Sequence, residues 1–240
     1  MDRDYKYLID SLSEWDFSLS DNQILQLDCY YEMLIEKNKY MNLTAITEFE
    51  DVIVKHFLDS LSIVKIRKFE KDSSIVDLGT GAGFPGLPLA IAFPDCKFTL
   101  IDSLNKRILF LQDVCNELHL SNITLVHARA EDAGHNELYR ESFDYCVSRA
   151  VANIATLSEY CLPLVKVGGC FISYKSGDLD EEIQKAGNAI SKLGGSMNQP
   201  HIFCLPDTDI NRSFVVIDKL KPTPKQYPRK AGTPSKEPLF

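Results

Sequence analysis

The sequence predicts an α/β fold, in which a mostly parallel sheet of seven strands carries helices on both faces and follows an N-terminal helical extension. Two observations predict this fold. Across residues 72–220, short β-rich runs alternate with helical patterns, which is typical of βαβ crossovers. Across residues 1–71, apolar side chains instead recur at spacings of three and four, the period of a helix. Residues 221–240 form a third part, a basic and proline-rich C-terminal tail.

The extension is predicted to contain two main helices. In the first, Ile24, Leu27 and Leu34 share one face, and Ser20 stands where a helix N-cap is expected. Residues 42–47 are predicted to form a loop, and a second amphipathic helix follows it.

The core is predicted to alternate strands with helices. The strand candidates are residues 74–78, 97–102, 123–128, 143–148, 169–174, 201–205 and 214–220. The helical candidates between them are residues 86–93, 105–119, 153–165 and 179–193. Because no helix is predicted between the last two strands, we expect them to form an antiparallel pair at one edge. In the tail, regular structure is argued against by Pro222, Pro224, Pro228, Pro234 and Gly232.

Composition and charge limit the classes of protein. An apolar content of 45% and a charged content of 25% are typical of a folded globular chain. Seven cysteines, none at CxxC spacing, predict reduced thiols in a cytoplasmic protein without a metal site. No apolar stretch approaches the ~20 residues of a membrane span, so we expect no membrane partner. The net charge is −8, yet the last 22 residues hold six Lys or Arg and one Glu, a pattern typical of contact with a polyanion.

The most informative segment is a glycine-rich loop between the first core strand and the first core helix. Gly79, Gly81, Gly83 and Gly86 lie within eight residues, and the last three match GxGxxG. Asp102 ends the second strand 21 residues after Gly81, where a carboxylate suits a ribose diol. NAD and S-adenosylmethionine both carry a ribose, and a tight turn without a ligand is the third alternative.

Asp77, two residues before the first glycine, favours one of these cofactors. We expect its carboxylate to face the ligand, where it would repel a pyrophosphate and attract the cationic sulfonium and ammonium of S-adenosylmethionine. Two unit charges 4 Å apart interact by about 4 kcal/mol at an effective dielectric constant of 20. The sequence therefore favours a methyl donor over a dinucleotide.

Further polar residues follow the other core strands at their carboxyl ends, the edge at which open α/β sheets bind ligands. Ser103, Arg129, Arg149 and Lys175 each come directly after such a strand. Each of these residues alone is as compatible with a solvated loop as with a ligand contact. The four together outline a cleft. No motif typical of methylation at exocyclic amines, pyrimidine C6 or ribose hydroxyls is present, which favours an acceptor that is nucleophilic without help.

Several strings, in this order and spacing, closely resemble the bacterial small-subunit ribosomal RNA guanine-N7 methyltransferases, the glucose-inhibited division protein B family. The resemblance covers nearly the whole chain. The matching strings are residues 41–46 (MNLTAI), 56–61 (HFLDSL), the glycine loop with its Phe-Pro-Gly, 100–107 (LIDSLNKR), 129–132 (RAED), 148–150 (SRA) and 227–234 (YPRKAGTP).

The resemblance implies a Rossmann-like class I S-adenosylmethionine-dependent methyltransferase fold and methylation of one guanine N7 in the decoding region of 16S ribosomal RNA. From the glycine motif and the resemblance together, the expected cofactor-binding residues are Asp77, Gly79, Gly81, Gly83, Phe84, Asp102, Ser103, Leu104, Ala130, Glu131 and Arg149. Guanine N7 has a lone pair and no proton, so no general base is expected. Arg149 and Lys175 are then expected to position the substrate.

The expected partner is 16S ribosomal RNA or a small-subunit particle, and we expect a monomer. The candidate RNA-binding residues are Asn42, Arg129, Arg212, Lys225, Tyr227, Arg229 and Lys230. Tyr227 is expected to stack on a base, and deletion of the tail is expected to weaken RNA binding and spare the cofactor. For His56 and Asp59, packing is favoured over substrate contact.

Three alternative functions remain open at this point: a methyltransferase of the same fold acting on a protein or a small molecule, a non-catalytic RNA-binding module, and an NAD-dependent dehydrogenase. Binding of S-adenosylmethionine would argue against the non-catalytic module, and the dehydrogenase would instead bind NAD.

Overall fold

A single mixed sheet organises the chain in the computed structural model, which describes residues 3–149, 152–177 and 179–240. Its strands are β1 (Ser74–Leu78), β2 (Lys97–Asp102), β3 (Ile123–His127), β4 (Phe143–Ser148), β5 (Val165–Lys175), β6 (Gly195–Met197), β7 (His201–Cys204) and β8 (Asn211–Lys219). They lie in the order β3-β2-β1-β4-β5-β8-β6, with β7 paired to β8.

The five strands from β3 to β5 are parallel, and β8 is antiparallel to its three neighbours. The predicted antiparallel pair of the last two strands is confirmed as β7 and β8. The predicted count of seven was wrong, because the described residues contain eight strands. The missed strand, β6, has three residues, too few to show the alternation by which strands are recognised.

The helices are α1 (Lys6–Glu14), α2 (Asp21–Met41), α3 (Phe49–Val52), α4 (Asp59–Leu61), α5 (Gly86–Ala92), α6 (Asn105–Glu117), α7 (Ala130–His135), α8 (Ile154–Cys161), α9 (Asp180–Lys192) and α10 (Thr233–Lys236). A π-helical segment, Ile53–Leu58, joins α3 to α4, and Ser62–Lys65 and Leu162–Leu164 are short 3-10 helices. Among the described helices, none is long and apolar enough to cross a membrane.

The N-terminal extension packs directly onto one face of the sheet. Ser20 caps α2 as predicted: its hydroxyl accepts a hydrogen bond from the Gln23 amide, and the Gln23 side chain accepts one from the Ser20 amide. Leu27 and Leu34 on α2 are fully buried in one apolar cluster with Leu100 of the sheet. The extension therefore shares its core with the strands instead of forming a separate unit.

The opposite face of the sheet is covered by α7, α8, α9 and the tail. The expectation that the tail lacks regular structure was wrong for one turn, α10. Pro234, which we counted against helix formation, occupies the first turn of α10, where its missing N–H costs nothing. Tyr227 and Pro234 are both buried, so the tail is packed against this face.

Candidate active site

The glycine loop connects β1 to α5 at the point where the strand order reverses between β2 and β4. Gly79 and Gly81 have φ angles of 76° and 64°, which favour glycine, and the space beside Gly79 is open. Gly83 and Gly86 serve packing: a Cβ on Gly83 would lie 2.8 Å from a Leu111 methyl group, and one on Gly86 2.3 Å from a Leu100 methyl group. Gly83 also has a φ angle that favours glycine, 113°, so three of the four glycines shape the loop, while Gly83 and Gly86 leave room for neighbouring side chains.

Asp77 lies beneath this loop and does not line the cleft described below. The side chain is fully buried, and Oδ2 accepts a hydrogen bond of 2.8 Å from the Gly86 amide at the start of α5. The Thr80 hydroxyl lies near the carboxylate but outside hydrogen-bonding geometry. Burial raises the pKa of Asp77 to about 6, against the lowering effect of Thr80, Gly86 and Arg149. The carboxylate is therefore charged at pH 7. The prediction that it faces the ligand was wrong, because the side chain lies buried behind the glycine loop.

A cleft of about 250 Å³ opens at the carboxyl ends of β1, β2 and β4. It is lined by Leu78, Gly79, Ile101, Asp102, Ser103, Arg107, Ala128, Ala130, Ser148, Ala152, Leu157 and Tyr160. Apolar side chains form most of the wall, and Asp102 places its carboxylate at the end of β2. This is a mixed site with apolar walls and a few fixed polar groups, as is typical of small-molecule sites.

Asp102 is held in place from three sides. Its Oδ2 accepts a hydrogen bond from the Gly81 amide at 2.9 Å and pairs with Arg107 at 3.2 Å, while Oδ1 accepts one from the Leu104 amide at 2.9 Å. The carboxylate is thereby fixed between the glycine loop and the start of α6. A fixed carboxylate beside apolar walls and an open glycine backbone fits a nucleoside such as the adenosyl group of S-adenosylmethionine.

A second cavity, of about 430 Å³, adjoins this cleft along the chain, since Ser148 lines the cleft and Arg149 the cavity. The cavity is lined by Lys55, His56, Asp59, Arg149, Tyr174, Lys175, Ser176, Glu182 and Arg212. Four cations and two carboxylates meet here, so the cavity suits an anionic or polar ligand.

Asp59 and Arg149 form the centre of the second cavity. Asp59 is buried, and its two carboxylate oxygens accept hydrogen bonds from Arg149 and Arg212, both at 2.7 Å. Arg149 also donates to the Lys55 carbonyl at 3.1 Å. One buried carboxylate thus fixes two guanidinium groups, and such charge-assisted hydrogen bonds are stronger than neutral ones.

His56 is a neutral member of the same network. Burial, reinforced by the charge of Arg149, lowers the pKa of His56 to about 3. The guanidinium of Arg149 can only donate, so Nδ1 of His56 accepts its hydrogen bond, at 3.2 Å. The proton of the neutral imidazole is then on Nε2, which donates to the Thr44 hydroxyl at 2.8 Å. The imidazole stacks on Phe84, 4.3 Å between ring centres, which ties the network to the glycine loop.

Lys175 closes the other side of the second cavity. Its ammonium donates to the Ala152 carbonyl and to the Glu182 carboxylate, both at 2.7 Å. Because Ala152 lines the cleft, this bond connects a residue of the second cavity to a residue of the cleft.

Residues 23–210 match the family model described as rRNA small subunit methyltransferase G. The ribosomal RNA small subunit methyltransferase G of Alkaliphilus metalliredigens is 53% identical over 97% of both chains. That of Lachnoclostridium phytofermentans is 52% identical over 99% of this chain and 98% of the relative. The chain belongs to the rRNA small subunit methyltransferase G family. Among solved structures, M. jannaschii TYW2 in complex with AdoMet shares the fold, with a TM-score of 0.50 at 14% identity over 62% of this chain and 68% of that one.

In this methyltransferase G family member, the cofactor-binding residues predicted from the sequence occupy several kinds of position. Gly79, Asp102, Ser103 and Ala130 line the cleft, and the Gly81 and Leu104 amides bind the Asp102 carboxylate. Gly83 and Phe84 are buried between the loop and the extension. Arg149 lines the second cavity. Glu131 is buried, and its Oε1 accepts a hydrogen bond from the Gly232 amide at 2.8 Å.

The predicted RNA-binding residues also divide in this methyltransferase. Asn42, Arg129, Lys225 and Lys230 are exposed, and Arg212 lines the second cavity. The two remaining tail residues require a correction, because both are engaged within the protein. Tyr227 belongs to the core on the α7–α9 face, and Arg229 forms an ion pair with the fully buried Glu159 at 2.7 Å.

Sequence analysis missed several residues of the second cavity. Lys55 and Tyr174 were not considered, and His56 and Asp59 were interpreted as packing residues. The one available signal was the spacing of His56 and Asp59, because residues three apart share a helix face.

For metals, the described part of the chain contains no group of three or more His, Cys, Asp or Glu that could hold an ion.

Proposed function

We propose that this methyltransferase transfers a methyl group from S-adenosylmethionine to N7 of one guanine in the decoding region of 16S ribosomal RNA. The observation that carries the proposal is that two consecutive residues, Ser148 and Arg149, line two different cavities. One is a mixed cleft that fits a nucleoside, and the other is rich in cations. Two substrates bound on either side of this point would face each other.

The cofactor is assigned to the cleft. Asp102 is placed to bind the ribose hydroxyl groups, Gly79 leaves room for close approach to the backbone, and Leu157 with Tyr160 offers an apolar surface for the adenine. S-adenosylmethionine supplies a methyl group on a positively charged sulfur, which makes that carbon electrophilic. The charged Asp77 behind the loop favours a cationic ligand over a pyrophosphate, although its distance reduces the effect.

The acceptor guanine is assigned to the second cavity. Its N7 carries a lone pair and no proton, so no side chain has to remove a proton during transfer. The protein's task is alignment, which contributes up to about 7–11 kcal/mol in favourable cases. Arg149, fixed by Asp59, and Lys175, fixed by Glu182, are the groups that would hold the base in position.

The RNA backbone requires further cations around the cavity. Arg129, Lys225 and Lys230 are exposed and would neutralise phosphates. We propose that the protein acts as a monomer. A ribosomal substrate would place this activity in the cytoplasm.

Titration calorimetry tests the cofactor assignment. We expect the protein to bind S-adenosylmethionine with a Kd of about 10 μM or tighter, about −6.8 kcal/mol or better, and to show no heat with NAD. Asp102→Ala should weaken the binding at least about tenfold, because it removes a charged hydrogen-bond acceptor worth about 1.5–3 kcal/mol. Binding of NAD without binding of S-adenosylmethionine would refute the proposal.

A further inference from the structure

The outer wall of the cofactor cleft rests on a segment of the tail that does not line the cleft. Three lining residues, Ala130 on α7 with Leu157 and Tyr160 on α8, form this wall. Their sequence neighbours Glu131, Thr156 and Glu159 are all buried. All three neighbours bond to residues 227–237, which we call the docked tail.

Each of these contacts is specific. The Glu131 carboxylate accepts a hydrogen bond from the Gly232 amide at 2.8 Å, and the Thr156 hydroxyl donates one to the Pro234 carbonyl at 2.9 Å. With the contact between Glu159 and Arg229, three points of the wall are thus bonded to three residues of the docked tail.

The contact between Glu159 and Arg229 is the strongest of the three. Glu159 is fully buried, and its Oε1 accepts hydrogen bonds from the Arg229 amide at 2.8 Å and from Nε at 2.9 Å. Its Oε2 accepts one from the guanidinium at 2.7 Å. A bidentate pair of this kind fixes both position and orientation. Removing the partner of a buried carboxylate is strongly destabilising, so we expect α8 to lose this arrangement when Arg229 is not docked.

Two further features hold the docked tail against α7. A Cβ on Gly134 would lie 2.6 Å from Pro228 Cγ, so glycine at this position lets the proline approach the helix backbone. Arg140 donates hydrogen bonds to the carbonyls of Tyr227 at 2.9 Å and of Gly134 at 2.6 Å, and so joins the tail to the helix. The packing is therefore continuous along the outside of the wall.

The docked tail also reaches one lining residue directly. Burial and the Glu131 carboxylate raise the pKa of Tyr160, and the Ser235 hydroxyl lowers it, so both groups lie beside this phenol. Tyr160 therefore both lines the cleft and lies beside Ser235 of the docked tail.

From these contacts we infer that the docked tail is a structural wall of the cofactor site, and that Arg229, Glu159 and Glu131 are positioning residues for S-adenosylmethionine. The inference rests on the proposed function of the cleft. It replaces one expectation from the sequence, that loss of the tail spares cofactor binding, and it assigns the Glu131 carboxylate to the tail. Arg229 affects the cofactor through Glu159 and the adjacent Tyr160, without touching it.

Arg229→Ala is the decisive variant, and Lys236→Ala is its matched control, since it removes the same charge from an exposed position of the same segment. We expect Arg229→Ala to raise the Kd for S-adenosylmethionine at least about tenfold, equivalent to about 1.4 kcal/mol. In steady-state assays its KM for S-adenosylmethionine should rise while kcat at saturation stays within about twofold, because the second cavity is untouched. Lys236→Ala should keep the wild-type Kd.

Two further variants keep the test decisive if Arg229→Ala does not fold. Arg229→Lys retains the charge beside Glu159 but not the bidentate geometry. Thr156→Val removes one hydrogen bond to the tail. Both variants should bind S-adenosylmethionine more weakly than the wild type does. Folded variants with the wild-type Kd would overturn the inference and leave the proposed function standing. A wild-type protein that does not bind S-adenosylmethionine would instead overturn the proposed function, and the inference with it.

Discussion

Replacing Arg149 by alanine is expected to lower turnover by about 100-fold or more, because small errors in the placement of reacting groups already cost that much. Arg149 lines the second cavity beside the last cleft residue of β4, where it would hold the acceptor base against the cofactor. Its side chain does not line the cleft, so the Kd for S-adenosylmethionine should change by less than about threefold. Asp59 keeps Arg212 as a partner, so the variant should remain folded.

Single-turnover methylation of small-subunit particles, with calorimetry of the cofactor beside it, measures both effects. Arg67→Ala is the matched control, since Arg67 is an exposed arginine at the amino ends of the strands, away from both cavities. Arg149→Lys should recover part of the rate by restoring the charge. Unchanged turnover in Arg149→Ala would remove this residue from the site, and loss of cofactor binding alone would move it to the cleft.

Replacing Asp59 by asparagine is expected to reduce the free energy of unfolding by about 3 kcal/mol and to abolish most activity. The carboxylate is buried and is the shared partner of Arg149 and Arg212, so its loss leaves two half-buried cations with one weak acceptor between them. The arginines would no longer be held toward the cavity. Denaturant unfolding monitored by circular dichroism, with the same methylation assay, measures both effects.

Asp51→Asn is the control for the Asp59 variant. Asp51 pairs with Lys55 one turn along the helix and is about half exposed, and surface pairs of this kind contribute about 0.3–0.5 kcal/mol. The Asp51 variant should therefore unfold almost as wild type does. An Asp59 variant that is equally stable and fully active would show that the two arginines are positioned by other contacts.

The parts of the fold that the sequence predicted correctly depend on local patterns. The parallel strands β1 to β4, the cap at Ser20 and the antiparallel pair β7–β8 each follow from periodicity or capping within a short window. The missed strand β6, Gly195–Met197, has no such local pattern. It is a strand because the fold places it beside β8, with which it pairs.

The second cavity lay beyond the reach of sequence analysis for a different reason. Asp59 and Arg149 are 90 residues apart, and Arg212 follows 63 residues later, so no spacing rule relates them. They meet because the π-helical segment before Asp59 packs at the carboxyl end of β4. Asp59 and Arg149 stand in motif strings, but only the packing of the extension shows that Asp59 contacts both Arg149 and Arg212.

The tail shows the limit of arguments from composition. Counting the cations from Lys219 onward predicted a tail that contacts a polyanion, but a count does not reveal which charges have internal partners. Arg229 pairs with Glu159, 70 residues away, and this pair lies in the interior. Of the tail residues predicted to bind RNA, only Lys225 and Lys230 are exposed, and RNA binding by these two stays a prediction.

Nucleotide mapping of 16S ribosomal RNA tests the central claim most directly. Small-subunit particles from cells lacking this protein would be incubated with the purified enzyme and labelled S-adenosylmethionine, and the modified nucleotide located by mass spectrometry of RNA fragments. We predict one 7-methylguanosine in the decoding region, present with the wild-type enzyme and missing with Arg149→Ala. Label at another atom or outside that region, or no label in RNA at all, would contradict the assignment of the second cavity to guanine.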